Sequence, residues 1–553
     1  SAKGLSGKSI TARAFDRPIN AQIFADGRPG RISTRVVANG QVGVKKLTDW
    51  LKFNQPIPVS GDLPYQLQLT LDGADSQLRV NSSLKGAVID LPAPFGLAAN
   101  ESRDSVFRMT LQGAEKRYWF DYANLASLTF AAPDGKLEAG RGELFLGAGA
   151  ATLPTTKGLR VRGVLSELDV APWQALVERY AGKDAGGSAQ QLLSSADFKI
   201  GKLTAMGTQL DQVRLQMNRY PASWGLKIDS KQAVGSATLP DAKNAPITIT
   251  MQIVRLPAAD PKAVADDNAP DPLASVDPRN IPALDIIIRQ LYQGPDLIGA
   301  WSLNIRPTSR GILLNNLNLG LKGLLLEGAG GWEGFAGASN SWYKGRLGGR
   351  NLADVLKNWG FAPSVTSDSF RLDVEGKWPG SPAWIGLKRF SGTLDASLNK
   401  GQFVEVDGSA QVLRIFGLLN FNSIGRRLRL DFSDLFGKGL SYDRVKGLLQ
   451  ADRGVYSANK PITMTGPSSN LELSGTLNMV TDQVDARLLV TLPVTNNLPI
   501  AALLVGAPAV GGALFLINKL IGDQVSRFAS VQYSIKGPWQ DPKITFDKPF
   551  EKK

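Results

Sequence analysis

Apolar and polar side chains alternate with a period of two along most of the chain. In Tyr65-Gln-Leu67-Gln-Leu69-Thr-Leu71 the apolar residues share one face, and Gln66, Gln68 and Thr70 share the other. That spacing predicts a strand with one dry and one wet face. The same alternation returns at Leu78 and Val80, Val213-Arg-Leu215-Gln-Met217, Trp224-Gly-Leu226-Lys-Ile228, Leu317-Asn-Leu319-Gly-Leu321, Leu471-Glu-Leu473 and Tyr533-Ser-Ile535. Turn pairs such as Asp72-Gly73, Asp134-Gly135, Lys400-Gly401 and Arg453-Gly454 separate these runs at hairpin spacing, so the pairing should be largely antiparallel.

Few segments carry helical spacing. Asp169 to Tyr180 has a capping Asp, Pro172 in the first turn, and Trp173, Leu176, Val177 and Tyr180 on one stripe. Asn351 to Trp359 repeats the design with Leu352, Val355 and Leu356, and Gly345 and Leu347 precede it at the intervals that Gly163 and Leu165 precede Asp169. A third copy starts near Leu47, where Thr48-Asp-Trp50-Leu51 matches Ala353-Asp-Val355-Leu356. Repeats of strand, short helix and further strands extend one sheet rather than closing separate cores, which predicts an elongated body.

The last third of the chain differs. Val412 to Phe421 is apolar nearly all round, including Val412, Ile415, Phe416 and Leu419, so a helix there must be covered on every side. Leu498 to Ile517 carries no charge over 20 residues, enough for a membrane span, but is broken by Pro499, Pro508 and several Gly. It runs on into a stripe of Leu514, Ile517, Ile521, Val525 and Phe528 opposite Lys519, Asp523 and Arg527. The combination describes a helix lying on a membrane or closing the end of an apolar groove, with a core helix and a span as alternatives. The expected organisation is a repeating β segment over 1–256 with helices near 45–53 and 169–181, a Pro/Asp-rich solvated loop over 257–283, a second β segment over 284–408, and a C-terminal region over 409–553 with amphipathic helices near 410–424 and 500–529.

Composition narrows the chemistry. The 553 residues include no His and no Cys, which removes a Ser/His/Asp triad, a thiolate nucleophile and an ordinary zinc site. With 63 basic against 49 acidic residues the net charge is +14, which suits anionic headgroups or nucleic acid, or simply a solvated basic surface. The basic residues are dispersed rather than gathered with aromatics on one face, which argues against nucleic acid. Ala2-Lys-Gly-Leu-Ser-Gly7-Lys8-Ser9 fits a permissive phosphate loop but lacks the preceding strand that mechanism needs. Gly328 to Gly334 reads as a tight turn. The acids of 257–283 fit no calcium-loop spacing, and nothing singles out a carboxylate pair for glycoside hydrolysis. The expectation is no enzymatic activity, no catalytic residue, no metal and no cofactor. No signal peptide opens the chain and Ser1 is not a start methionine, so a piece of a longer protein is expected.

Several stretches resemble a known family. Val412-Leu-Arg-Ile-Phe-Gly-Leu-Leu-Asn-Phe421, Arg429-Leu-Asp-Phe-Ser-Asp-Leu-Phe436, Gly439-Leu-Ser-Tyr442, Leu471-Glu-Leu-Ser-Gly475 and Ile535-Lys-Gly-Pro-Trp-Gln-Asp-Pro-Lys-Ile544 are similar, in their order, to the C-terminal region of AsmA-like envelope proteins of the YhdP type. Asp90-Leu-Pro-Ala-Pro-Phe95 and the tract from Ile281 to Asp354 extend the resemblance. It implies a mainly β fold, an elongated, twisted, largely antiparallel sheet curled into a hydrophobic groove, with a few short helices and a helical C-terminal end. It further implies a non-enzymatic bridge that carries phospholipid between the inner and outer membranes of a Gram-negative envelope. The chain would lie in the periplasm, its inner-membrane anchor supplied by a missing N-terminal part and its C-terminal end touching the outer membrane. Groove-lining candidates are Leu67, Leu69, Leu71, Val80, Leu226, Ile228, Leu319, Leu321 and Leu473. Membrane-contact or groove-end candidates are Val412, Ile415, Phe416, Leu419, Leu514, Ile517, Ile521, Val525 and Phe528. The residue pattern adds its own support, because a one-layer sheet with one dry face needs a cover and the helices are too short to supply it. The alternative is an envelope scaffold or tether that moves no lipid.

Overall fold

A computed structural model describes residues 6–28, 31–53, 56–180, 192–205, 207–258, 269–403, 440–467, 469–494, 515–521, 524–539 and 542–546. They form two compact units, Ser1–Lys243 and Asn244–Lys553. Both are mainly β, as the alternation predicts, with three short α-helices among the described residues.

In the first unit strands β1 (Gly7–Ala14), β2 (Arg17–Arg28), β3 (Arg31–Gly43), β4 (Val59–Leu71) and β5 (Gln77–Ser82) pair in sequence as antiparallel neighbours. A short side strand, β6 (Ala87–Ile89), pairs with the start of β4, and the main sheet passes from β5 to β7 (Ser105–Thr110). It continues through β8 (Glu115–Tyr122), β9 (Ala126–Pro133) and β10 (Arg141–Leu146). Two parallel steps follow, from β10 to β11 (Gly158–Asp169) and from β11 to β12 (Leu193–Ala205). Antiparallel pairing then resumes through β13 (Thr208–Tyr220), β14 (Ser223–Asp229) and β15 (Ala233–Pro240).

The second unit opens with a parallel pair, β16 (Ile247–Leu256) and β17 (Leu284–Gln293). Antiparallel neighbours follow: β18 (Asp296–Pro307), β19 (Gly311–Leu321), β20 (Leu324–Phe335), β21 (Ala338–Arg350), β22 (Ser369–Pro379), β23 (Ser391–Phe403), β24 (Leu440–Asp452), β25 (Val455–Thr465), β26 (Asn470–Asn478) and β27 (Gln483–Val494). Strand β27 pairs with β29 (Gln524–Pro538), which also holds β28 (Phe515–Ile521) and β30 (Lys543–Phe546).

Parallel neighbours need a crossover longer than a hairpin turn. The stretch 147–157 supplies it between β10 and β11, and the two unusual segments of the sequence supply the others. Helix α2 (Val170–Tyr180) lies between β11 and β12, and the Pro/Asp-rich stretch lies between β16 and β17. Helices α1 (Val44–Trp50) and α3 (Leu352–Asn358) instead interrupt antiparallel hairpins, β3–β4 and β21–β22. The three similar sequences therefore serve two topologies.

Two expectations are corrected. The Pro/Asp-rich stretch is not simply solvated, because its part from Ala269 onward is pinned to the second unit. The Asp271 carboxylate accepts from the Ser381 amide and hydroxyl at 2.7 and 2.6 Å, and Trp384 Nε1 donates to the Ala269 carbonyl at 2.8 Å. The stripe ending in Phe528 is not helical, because Ile517 and Ile521 lie on β28 and Val525 and Phe528 on β29, joined as a hairpin with Ile517 opposite Phe528. Runs of β-branched and aromatic residues beside the free edge of β29 favour pairing over a helix whose polar face is only three residues wide. Val412, Ile415, Phe416, Leu419 and Leu514 lie outside the described residues.

Candidate functional site: an apolar strip between dry margins

Tracing paired residues strand by strand through the first unit gives one unbroken apolar row. It runs Ile10, Ala21, Ala38, Leu67, Val80, Phe107, Phe120, Leu128, Leu144, Val161, Ala196, Met217, Leu226 and Ala237. Only the two small residues Ala38 and Ala196 are buried; Ile10 and Phe120 are 38% and 36% exposed, and the rest are half-buried. One residue over, on the opposite face, the row reads Gln68, Arg79, Arg108, Trp119, Thr129, Glu143 and Arg160. That face is wet and charge-paired, for example Arg108 with Asp121 at 3.2 Å. Its one fully buried acid, Glu143, pairs with Arg160 and accepts from the Thr152 amide at 3.1 Å.

One margin of this unit is sealed. Helix α2 lays Trp173 edge-on against Phe95, with ring centroids 5.9 Å apart, over buried Leu165, Ile200, Leu203 and Val213. Asp90 holds the same helix through Arg179 at 2.6 Å and Tyr180 at 3.1 Å. The Asp90–Phe95 stretch thus gives this margin its anchor.

The second unit repeats the arrangement with different side chains. Its row runs Met251, Ile288, Trp301, Leu319, Leu326, Leu347, Leu372, Ala396 and Gly447 by direct pairing. A bulge follows on β24 and β25, where Ile462 packs over Gly447, so that a Cβ at this glycine would stand 2.8 Å from Ile462 Cγ1. Beyond it the row continues through Leu473, Leu488 and Tyr533. From Met251 to Leu473 every member is half-buried, whereas Leu488 and Tyr533 are buried. The strip is open along most of its course and closed at β27 and β29.

Both margins of this strip are dry and rich in aromatics. Along one lie Tyr343, Trp378, Phe390 and Tyr456; along the other, helix α3 packs Val355 and Leu356 with Val365, Phe403 and Tyr442. Each buried polar tip has a partner: Trp378 Nε1 donates to the Ser381 carbonyl at 2.9 Å, Tyr456 to Leu387 at 2.9 Å and Tyr343 to Glu327 at 2.8 Å. Burial disfavours the phenolate and pushes the Tyr343, Tyr456 and Tyr533 hydroxyls up to about 12. Glycines let the rings lie flat on the sheet. A Cβ at Gly376 would collide with the Phe390 ring, and one at Gly349 would stand 2.8 Å from Phe370.

Of the residues singled out by alternation, Leu67, Val80 and Leu226 share the first row, and Leu319 and Leu473 share the second. Leu69 belongs to the adjoining row with Val36 and Leu78. Ile228 lies on the other side, opposite Leu215, and packs on the sealed margin. Leu71 ends its strand 44% exposed, and Leu321 sits beside the end of α3, where Trp359 Nε1 donates to its carbonyl at 3.2 Å. Alternation alone did not single out Phe107, Phe120, Leu144, Val161, Leu347 or Leu372. Tyr118-Trp119-Phe120 hides its period in a solid aromatic run, and Val106-Phe107 puts apolar residues on both faces. Among the described residues no group of acids is placed to hold a metal ion, and no helix is long and apolar enough to cross a membrane.

An unclosed, largely antiparallel sheet with one half-open apolar face defines an apolar β-groove protein. The chain belongs to the YhdP family, whose model, described as YhdP protein, matches residues 2–544. It is similar to the intermembrane phospholipid transporter YhdP of Escherichia coli (strain K12), at 23% identity over 562 residues. That match covers 98% of this chain and 43% of the relative, so the chain spans under half of the relative's length. No solved structure matches.

Proposed function

We propose that this chain is a non-enzymatic segment of a phospholipid conduit, in which acyl tails lie on the apolar strip and headgroups stay at its wet edge. The observation that carries the reading is the strip itself: from Met251 to Leu473 a row of mostly large apolar residues, broken by one bulge, stays half-buried while the margins beside it are dry. A soluble sheet rarely leaves so long an apolar row uncovered unless something apolar covers it. Each methylene that leaves water contributes about 0.8 kcal/mol, so two tails favour the strip over water strongly. Movement is then sliding along a surface with no deep well, since rows of Leu, Ile and Ala offer each position nearly the same contact. Family membership and the phospholipid-transporting role of the relative support phospholipid as the cargo. The same likeness supports a place in the periplasm between two membranes, with membrane contact supplied at the ends of the complete protein.

The test is lipid content. The chain purified in mild detergent is expected to carry phospholipid, detected by mass spectrometry, and Leu319→Glu to carry about tenfold less without loss of β-sheet signal, because a carboxylate on the strip must be desolvated by each passing tail. Lipid-free protein, or unchanged lipid in Leu319→Glu, rejects the conduit and favours a tether.

A further inference from the structure

Where strands β21, β22 and β23 end together, the sheet carries a polar notch of about 610 Å³ lined by Arg350, Asn351, Thr366, Ser367, Asp368, Lys400, Gly401 and Gln402. Arg350 pairs with Ser369, which pairs with Asn399, so Arg350 and Lys400 stand on strands two apart. At ~4.8 Å per strand their backbones are about 10 Å apart, a span that two long basic side chains bridge onto one anion. Both are exposed, and neither forms an ion pair among the described residues. The Asp368 carboxylate is also unpaired among the described residues, its backbone amide being spent on the Asn399 and Lys400 carbonyls. Two cations and one anion are thus left free at one opening.

The notch backs directly onto the dry margin. Tyr442, 2% exposed within that apolar cluster, donates its hydroxyl to the Thr366 carbonyl at 2.5 Å, and Gly401 leaves room for it. Burial raises the Tyr442 hydroxyl's pKa, a hydrogen bond with Ser367 opposes it, and the charge of Asp368 adds to it. One residue inward from Ser369 and Asn399, on the other face of the sheet, the half-buried pair Phe370 and Leu398 begins an apolar row that continues through Val445 and closes at buried Met464 and Leu471. The polar opening and the oily face therefore meet at the strand ends, round which a lipid's tails would pass.

We propose that this notch is a headgroup station for a zwitterionic phospholipid, with the phosphate diester held by Arg350 and Lys400 and the ammonium by Asp368, while the tails lie on the row that starts at Phe370 and Leu398. The inference rests on the conduit reading and adds a fixed stop to it. Phosphate is the shared chemistry, and its source is the lipid; a bidentate guanidinium with a second cation fits a diester, and the leftover carboxylate selects a cationic headgroup over a neutral one.

The chain's lack of cysteine allows a local readout, since Gln402→Cys carries a single bimane and Gln402 makes its hydrogen bonds through its backbone. The labelled chain is titrated with dihexanoyl phosphatidylethanolamine below its micellar concentration, with the phosphatidylglycerol analogue, with dihexanoylglycerol and with inorganic phosphate. The expected result is saturation by phosphatidylethanolamine, with half-saturation raised about tenfold in Arg350→Gln/Lys400→Gln and that of dihexanoylglycerol unchanged. Asp368→Asn should weaken phosphatidylethanolamine about threefold and leave phosphatidylglycerol unchanged or tighter. Unaltered phosphatidylethanolamine binding in the double variant overturns the station while leaving the conduit standing. Equal losses for dihexanoylglycerol reduce Arg350 and Lys400 to structural residues, and phosphate binding as tightly as the lipid assigns the notch to the free ion. Either result overturns the proposal. If the unsubstituted chain responds to none of the lipids, and also purifies free of lipid, the conduit reading falls together with it.

Discussion

The two units solve one problem with different side chains. The first unit crosses its apolar face with Phe107, Phe120 and Met217 among the aliphatics, and its core clusters are two small ones, around Leu165 and around Leu97. The second crosses its own with Met251, Trp301 and Tyr533 among the aliphatics, but sets that row between margins joined in a single extended cluster from Leu317 to Trp539. The difference separates two tasks that a globular core combines. Stability sits in the margins, where packing is complete, and the floor is released from it to meet something else.

That division can be broken at its strongest point first. Trp378→Ala removes a ring that is 6% exposed and its hydrogen bond to Ser381, and is expected to cost about 3–5 kcal/mol by urea unfolding, whereas Phe107→Ala, half-buried on a floor, should cost about 1–2 kcal/mol. Equal losses would show that floor and margin are not distinct. Next in size is lipid occupancy. Leu372→Glu, on a floor between two dry margins, is expected to lower co-purified phospholipid about tenfold and Leu226→Glu less, since the first unit has one sealed margin and leaves a tail room to move aside. Identical deficits would mean the two floors are used alike.

Alkaline pH sharpens the contrast further. Tyr343, Tyr456 and Tyr533 carry folded-state values near 12 against about 10 unfolded, so the native chain keeps protons that the unfolded chain releases. Their stabilisation is complete below pH 10 and declines as pH rises towards 12. The second unit should therefore unfold first on base titration, followed by phenolate absorbance at 295 nm, and Tyr456→Phe should narrow the window. The smallest effect is expected at the crossover strap. For Asp271 burial acts upward, but the hydrogen bonds from Ser381 and Leu273 outweigh it and leave the carboxyl below its ordinary value. Asp271→Asn should cost about 1 kcal/mol at neutral pH, and the gap should start to close as pH falls below about 4, where the unfolded carboxyl protonates, and vanish once the native carboxylate, held lower, takes up its proton too.

Much of this was legible because a strand announces its faces with every second residue. Leu67, Val80 and Leu226 could be read as co-facial from their own neighbours, yet nothing local says that they share one ladder row, which is set by register across strands up to 160 residues apart. Helices α1, α2 and α3 were visible through caps and spacing, while the parallel pairing around α2 was not, since a crossover and a hairpin interruption look alike in sequence. The C-terminal hairpin failed for the opposite reason. Ile517, Ile521, Val525 and Phe528 satisfy the helical period, and the strand edge that captures them is built from residues elsewhere in the chain. The notch was invisible, because Arg350, Asp368 and Lys400 sit in three separate strand ends whose meeting is a product of register alone.

Nearly every strand of both units hydrogen-bonds to the one synthesised just before it. Such a chain can assemble as it is threaded out of a ribosome or pore, each new segment docking on the edge its predecessor has left, with little search for distant partners. It also follows that evolution can adjust span by whole hairpins, about 9–10 Å at a time, without redesigning what is already folded. A fold that grows only at its tip carries its measure in its number of hairpins.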